Sequence, residues 1–298
     1  MTNKFDYFIG IDWSGAKGKL HKGISVAVIK NNNEIELVNP SLSHWSRLEV
    51  FNYLIEKLKV GRILVGIDFA FAYPFIDRGN YFPNGPLDQP KNIDELWEKI
   101  DSISKHDPDF YGGSIWHHPE YKEYFNSPYN KGKLYSSRIR LTELYAKKFR
   151  SPSPTFNCVG PASVGTGSLA GMRFIYALKK YLVDKIAIWP FDDYEKIKKA
   201  DIVAVEIFPS LYFHIANQSS VNKKGRERLL LKNTLSYFKQ EYSELKPLSG
   251  DDNDDIDAIV SCAALKYFCN SQEGFINSFN QKNVRLSSKH EGWIYGVM

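Results

Sequence analysis

Two aspartates close apolar runs of one design. Phe8-Ile9-Gly10-Ile11-Asp12 turns at once on Trp13-Ser14-Gly15, and Ile63-Leu64-Val65-Gly66-Ile67-Asp68 leaves into Phe69-Ala70-Phe71-Ala72-Tyr73-Pro74. A short apolar run bounded by a turn signal reads as a buried strand, and its last residue then sits at the carboxyl edge of a sheet, where ligands bind. A single Asp at such a place can simply accept hydrogen bonds from its own turn. Two of them, joined by Glu206 in Ile202-Val203-Ala204-Val205-Glu206-Ile207-Phe208 and by the acidic helix start Asp254-Asp255-Ile256-Asp257-Ala258, make a set. Carboxylates drawn together out of water repel one another unless something positive joins them. A hard divalent cation with oxygen ligands, Mg2+ or Mn2+, satisfies such a set.

The elements that must hold these acids follow from the apolar spacing. Ile24–Ile29 reads as a second strand, Asn31-Asn32-Asn33 as a turn, and Glu34–Val38 alternates as a strand with one wet face, so three antiparallel strands open the chain. Apolar residues from Trp45 to Val60 recur at helical intervals, with Ser43 or Ser46 available as cap, and this helix crosses over to the Asp68 strand. Further on, a helix is expected over Leu169–Leu182, a short strand over Ile186–Trp189, a solvated helix over Asp192–Lys199 and a basic amphipathic helix over Gly225–Tyr242, where Lys223, Lys224, Arg226 and Arg228 add positive charge. In the acidic helix, Ile256, Ile259, Val260, Ala263 and Tyr267 share a face. Asp254 and Asp257, three residues apart, both border that face and reach the sheet, whereas Asp255 points away and reads with Asp251 and Asp252 as first-turn capping.

Composition bounds the class. Of 298 residues 43% are hydrophobic and 14% aromatic, enough for a real core. Thirty-nine Lys and Arg against 34 Asp and Glu leave a formal charge of +5, which permits an acidic partner without demanding one. No apolar run approaches a membrane span, and Met1-Thr2-Asn3-Lys4 leads into the first strand without a signal-peptide core, so a cytoplasmic protein with no membrane partner is expected. Cys158, Cys262 and Cys269 lack zinc-type pairing and suit neither a disulfide framework nor a structural zinc site.

Residues 76 to about 165 break the strand and helix rhythm and read as an insertion rich in Pro, Gly, Asn and aromatic residues, with helical pieces near Ile93–Ile103 and Leu141–Phe149. Within it, residues 116–150 hold eight cations, Lys122, Lys131, Lys133, Arg138, Arg140, Lys147, Lys148 and Arg150, against three glutamates, Glu120, Glu123 and Glu143. Trp116, Tyr121, Tyr124, Phe125, Tyr129, Tyr135, Tyr145 and Phe149 are interleaved with them. Two readings stay open: a basic groove with stacking rings for nucleic acid, in which Lys131, Lys133, Arg138 and Arg140 bind substrate, or rings that pack the insertion onto the body beneath solvated cations. Gly160–Ser168 likewise reads either as a Gly-rich turn capping a helix or as a phosphate cradle using Ser163 and Thr166, although it lacks the Gly-Lys-Ser/Thr ending of a P-loop. His117 and His118 are available for proton transfer or for loop packing.

Strand-Asp, hairpin, crossover helix, strand-Asp and a late helix opening Asp-x-x-Asp-Ala resembles the ribonuclease H-like order. Gly10-Ile11-Asp12, Gly66-Ile67-Asp68, Val205-Glu206-Ile207-Phe208-Pro209 and Asp254-x-x-Asp257-Ala258 are similar to the family called domain of unknown function 429, predicted nucleases of that fold, over about residues 1–75 and 160–270. The resemblance implies one α/β domain over 1–298, a ribonuclease H-like mixed sheet flanked by helices and carrying a large aromatic and basic insertion. It implies Asp12, Asp68 and Asp257 as metal-holding carboxylates, completed by Asp254 or Glu206. The chemistry implied is metal-assisted phosphodiester hydrolysis of DNA or RNA, with Asp12 bridging two ions, Asp68 on one and Asp254 and Asp257 on the other, and no nucleophilic side chain. The competing expectations are an actin-like sugar kinase or ATPase, which lacks here a second Asp-Gly-Gly phosphate turn, and a nucleic-acid-binding module whose acids are structural.

Overall fold

The computed structural model describes residues 4–30, 34–149, 152–160, 163–220, 227–242, 252–271, 275 and 281–297. The Asn31–Asn33 turn, Arg150, Lys223, Lys224, Arg226 and Asp251 lie outside these residues, as does the side chain of Asp252. The chain is α/β, with one mixed seven-strand sheet flanked by helices. In chain order the elements are β1 (Tyr7–Asp12), β2 (Ser25–Lys30), β3 (Glu34–Leu37), α1 (Arg47–Leu58), β4 (Ile63–Ile67), α2 (Ile93–Ile103), α3 (Leu141–Ala146) and α4 (Val164–Leu182). They continue with β5 (Ile186–Ile188), α5 (Tyr194–Lys199), β6 (Ile202–Glu206), α6 (Pro209–Ile215), α7 (Glu227–Phe238), β7 (Glu241–Tyr242), α8 (Asp252–Asn270) and α9 (Lys282–His290).

The strands lie in the order β5-β6-β4-β1-β2-β3-β7. The first three strands run antiparallel, while α1 carries the chain across to β4, which pairs parallel with β1. β6 and β5 extend the parallel half. Because β1 and β4 are buried on both faces, their residues divide alternately between two cores. Ile9, Ile11, Val65 and Ile67 face α1, α2 and α4, whereas Phe8 and Leu64 face α6, α7 and α8.

Helix α8 lies directly on β1. Gly10 is what allows this: a Cβ there would sit 2.4 Å from the Ala258 carbonyl oxygen and 2.6 Å from the Cys262 nitrogen. On the opposite face, α4 begins at Val164, a turn before the expected Leu169. Gly160 keeps the turn conformation (φ 81°), whereas Gly165 and Gly15 serve for close approach. Gly165 sits against the Thr155 and Asn157 carbonyls, and Gly15 rests on the Thr166-Gly167 peptide, where a Cβ would fall 2.2 Å from the nearest atom.

Ser46, not Ser43, caps α1 by accepting from the Glu49 N–H. The basic helix expected to reach Tyr242 stops at Phe238, because Lys239 turns left-handed (φ 56°) and the chain returns as β7 beside β3. Both α6 and α9 carry no expectation from the sequence. No helix among the described residues is long and apolar enough to cross a membrane. All three cysteines are free thiols, and burial pushes each up to about 12.

Four of the eight interleaved rings, Trp116, Tyr121, Tyr124 and Phe125, are at most 4% exposed. They join the core that lies on the sheet, together with Tyr73, Phe82 and Phe156. For these four the packing alternative holds, since a ring that deep cannot stack on a base. Tyr129 and Phe149 remain at the surface.

Candidate functional site

β1 and β4 are neighbours in parallel register, Ile11 beside Ile67, and the Asp68 N–H still bonds the Ile11 carbonyl at 3.0 Å. Asp12 and Asp68 therefore leave the sheet side by side, about one strand spacing apart at the backbone. Gly10 and Gly66 both face α8, and the period-two alternation of a strand turns Asp12, two residues beyond Gly10, to the same face. Both aspartates are half-buried.

The start of α8 meets this edge. Asp254 lies beside the turn after β1: its Oδ2 is 3.8 Å from the Cβ position of Gly23, and the Ser14 Cβ is 3.4 Å from the same point. Asp257, half-buried, follows one helical turn later. Asp255 departs from expectation. It is 7% exposed and accepts a 2.6 Å hydrogen bond from the Ser25 hydroxyl, and Ser25 is the residue paired with Asp12 across the β1–β2 ladder. The helix lies closer to β2 than its apolar stripe implied, so the acid read as a solvated cap is a docking group.

Beside this edge a cleft of about 430 Å³ opens at the carboxyl ends of β1, β4 and β6 and the first turn of α4. Its walls include Asp68, Glu206, Ser163 and Thr166, together with Trp13, Ser14, Gly15, Phe69, Phe208, Arg140 and Glu143. The Thr166 hydroxyl donates to the Cys158 carbonyl at 3.3 Å, and the Trp13 indole N–H donates to the Gly167 carbonyl at 3.2 Å, which pins the turn after Asp12 to α4.

Arg140 and Glu206 meet in the floor of the cleft. The guanidinium donates to Glu206 Oε2 (2.7 Å) and Oε1 (2.5 Å), to Glu143 Oε1 through Nε (3.1 Å) and Nη2 (3.0 Å), and to the Glu291 carbonyl (3.0 Å). Its five N–H groups are thus occupied, and at 1% exposure it has no donor left for a substrate. Glu206 also accepts the Phe71 N–H at 3.1 Å, so its oxygens are engaged as well. The expectation of Arg140 as a substrate contact is corrected on that ground: it is the partner of Glu206 and Glu143. Burial alone would lower the Arg140 pKa, but Glu206 and Glu143 reverse this and keep it charged. Burial pushes the Glu143 carboxyl above the ordinary glutamate range, against the pull of Arg140.

Lys131 and Lys133 are exposed and do not line the cleft; the Lys131 ammonium lies 5.3 Å over the Tyr135 ring. Arg138 is held by Asp77 at 2.6 Å and by the Pro74, Asn80 and Tyr81 carbonyls, and it faces a separate cavity. His118 packs beside Tyr121 and His117 beside Tyr129.

One cluster had no signal in the sequence. Asp109, held left-handed at φ 48° and ψ 46°, accepts from His21 (2.8 Å) and from the Arg47 and Leu48 N–H groups (3.0 and 2.9 Å) at the start of α1. The Arg47 guanidinium then holds the carbonyls of Ser14 (2.9 Å) and Ala16 (2.6 Å), the wall of the cleft just after Asp12.

Compared with family models, with curated proteins and with solved structures, the chain matches none. Among the described residues no three His, Cys, Asp or Glu side chains are already grouped to hold a metal ion. Asp12 and Asp68 stand at the ends of adjacent strands and carry carboxylate oxygens, the donor type a hard cation takes. Mg2+ keeps several of its waters and is bound by one or two protein carboxylates together with substrate phosphates.

Proposed function

We propose that this chain is a divalent-metal-dependent nuclease of the ribonuclease H-like kind, hydrolysing phosphodiester bonds of DNA or RNA. The observation that carries the reading is the pair of aspartates on adjacent parallel strands, Asp12 and Asp68, met at the same sheet edge by the acidic start of α8. The order of elements supports it too: three antiparallel strands, a crossover helix, a parallel strand ending in Asp, and a late helix opening on Asp254 and Asp257.

In this reading Asp12 and Asp68 would hold Mg2+ or Mn2+, with Asp254 and Asp257 completing the set. The ion supplies charge to the scissile phosphate and activates water. The protein's own part is positioning. The ladder holds Asp12 and Asp68 in register, Arg47 and Trp13 fix the Ser14–Ala16 wall, and the cleft receives the nucleotide beside the scissile bond. Ser163 at the start of α4 offers a hydroxyl to that nucleotide, while the Thr166 hydroxyl is given to the Cys158 carbonyl.

The test is Mn2+ titration by calorimetry, followed by cleavage of single-stranded, duplex and hybrid oligonucleotides. Asp12→Asn and Asp68→Asn should each weaken Mn2+ binding at least tenfold and abolish cleavage. Their thermal midpoints will verify that both variants fold. Undiminished Mn2+ binding in the double variant would remove both residues from a metal site.

A further inference from the structure

The cleft alone does little to attract a phosphate chain. Asp68, Glu143, Glu206 and Arg140 are the charged residues among those described that line it, so without a bound cation its charge repels phosphate. Lysines stand instead on two elements that leave its wall. One is the loop after β1: residues 15–23 hold Lys17, Lys19 and Lys22 and no acid, and Lys17 directly follows Ala16 of the wall. The other is the end of α3. Glu143 lines the cleft, the Lys147 N–H donates to the Glu143 carbonyl at 2.9 Å, and the chain is back at the wall by Pro152 and Ser153.

Both elements are held in place. At one end of the loop Arg47 binds the Ser14 and Ala16 carbonyls at 2.9 and 2.6 Å; at the other, the His21 N–H bonds the Trp45 carbonyl and the His21 ring meets Asp109, each at 2.8 Å. Lys17–Leu20 thus span two pinned points, and Lys22 precedes Gly23, which packs against Ser14 beside Asp254. The start of α3 is fixed by the Arg140–Glu206 ion pair and by the Leu141 N–H on Glu291 at 3.0 Å. Lys17, Lys19, Lys22 and Lys147 are all exposed and make no ion pair with a described residue. Lys148, also exposed, lies 5.0 Å over the Phe149 ring. The two elements stand at opposite ends of a row of strands: the loop follows β1, Arg140 holds Glu206 at the end of β6, and β4 lies between them. That is two strand spacings, about 10 Å.

Lysines on either side of an acidic edge fit a chain that carries a negative charge at every repeat and is longer than the cleft. We propose that the Lys17–Lys22 loop and Lys147–Lys148 are two phosphate-binding shoulders that hold one continuous nucleic-acid strand across the cleft. Naming the polymer as nucleic acid rests on the nuclease reading, while binding at the shoulders does not need cleavage. The ammonium groups attract phosphates without reading sequence, and a loop pinned at both ends loses little freedom when the strand arrives. A dinucleotide has one bridging phosphate and meets one shoulder only. The substrate is therefore a strand that extends past the cleft on both sides, and the bond presented to Asp12 and Asp68 is an interior one.

The experiment is fluorescence anisotropy of the full chain in EDTA, where no metal-dependent cleavage occurs, with a labelled thymidine dinucleotide and a thymidine strand of about 12 residues, a length within the range that single-strand sites cover. Affinity is measured across a salt series for wild type, for Lys17→Gln/Lys19→Gln/Lys22→Gln and for Lys147→Gln/Lys148→Gln. The control is Lys198→Gln/Lys199→Gln, two exposed lysines at the end of α5, which leads into the start of β6 and so lies at the far edge of the sheet from the cleft. Thermal midpoints will verify that all three variants fold. The longer strand should bind wild type more tightly than the dinucleotide. Each shoulder variant should bind it more weakly, with the logarithmic salt slope reduced by about 0.7 for each lysine removed, and the control should match wild type. No binding of the longer strand, a dinucleotide that binds as tightly, an unchanged slope in either shoulder variant, or the same fall in the control would overturn the shoulders. Inorganic polyphosphate that competes as well as the thymidine strand would overturn the assignment to nucleic acid. Wild type that binds as expected but cleaves nothing with Mg2+ or Mn2+ would sink the nuclease reading and leave the shoulders standing.

Discussion

Arg140 is the residue on which the floor of the cleft depends. It is a single buried cation between Glu143 and Glu206, and its charge is what makes their burial tolerable. Replacing it with Met should cost roughly 3–5 kcal/mol, because two carboxylates would be left without a counter-charge in a dry place. Arg140→Met combined with Glu143→Gln and Glu206→Gln should recover most of that loss, since no uncompensated charge remains. Urea unfolding of both proteins checks this, and a triple variant as unstable as the single one would mean that shape rather than charge makes Arg140 necessary. In sequence, Arg140 is one of eight cations in a basic segment and looks like its neighbours. Nothing local distinguishes a guanidinium that meets water from one that meets Glu206, 66 residues away. The spacing of Arg140 and Glu143 was the only available hint: the Glu143 carboxylate accepts the Arg140 N–H at 2.7 Å, as a residue at the third position of a helix does for its cap.

At the scale of elements, the contact between β1 and α8 decides whether the acids meet. Gly10→Ala would drive a methyl group into the backbone at Ala258 and Cys262, which cannot move aside as a side chain can. The expected cost is roughly 1–3 kcal/mol, read as a lower thermal midpoint. Because the displaced element carries Asp254 and Asp257, Mn2+ affinity should fall with it. A variant that loses stability but keeps full Mn2+ affinity would show that α8 contributes no ligand.

The strands at this edge were readable because an apolar run closing on Asp carries its own boundary. The acidic start of α8 was readable through helical period, yet the period alone misjudged Asp255, since a helix buried nearly all round has no single inward stripe. The Arg47–Asp109–His21 cluster was beyond reach, because its members come from three separate stretches that only the folded chain brings together.

For the whole molecule, that cluster links acid stability to the integrity of the cleft. Burial by itself would raise the Asp109 pKa, but the hydrogen bonds from His21 and from the Arg47 and Leu48 N–H groups, with the Arg47 charge, outweigh it and hold the carboxyl below its ordinary value. A carboxyl depressed in the folded state contributes stability that is complete above its unfolded pKa of about 3.9 and is lost as pH falls through the folded value. Wild type should therefore lose stability below about pH 4 more steeply than Asp109→Asn, which is already weaker at neutral pH. Urea midpoints of the two proteins across that range will converge if Asp109 carries the effect, and will stay parallel if it does not.

The residues beyond α9 give the architecture a consequence in time. The Tyr295 N–H bonds the Glu206 carbonyl at 2.9 Å, Ile294 forms part of the cleft wall, and Glu291 accepts from the N–H groups of Phe75, Ile76 and Leu141. A ribosome makes Asp12 well before these residues. Until they emerge, the nascent chain can pair β1 with β2 and β4, yet its cleft lacks a wall and the glutamates around Arg140 lack their enclosure. A chain aborted before Glu291 would carry every proposed metal ligand and still present no finished site.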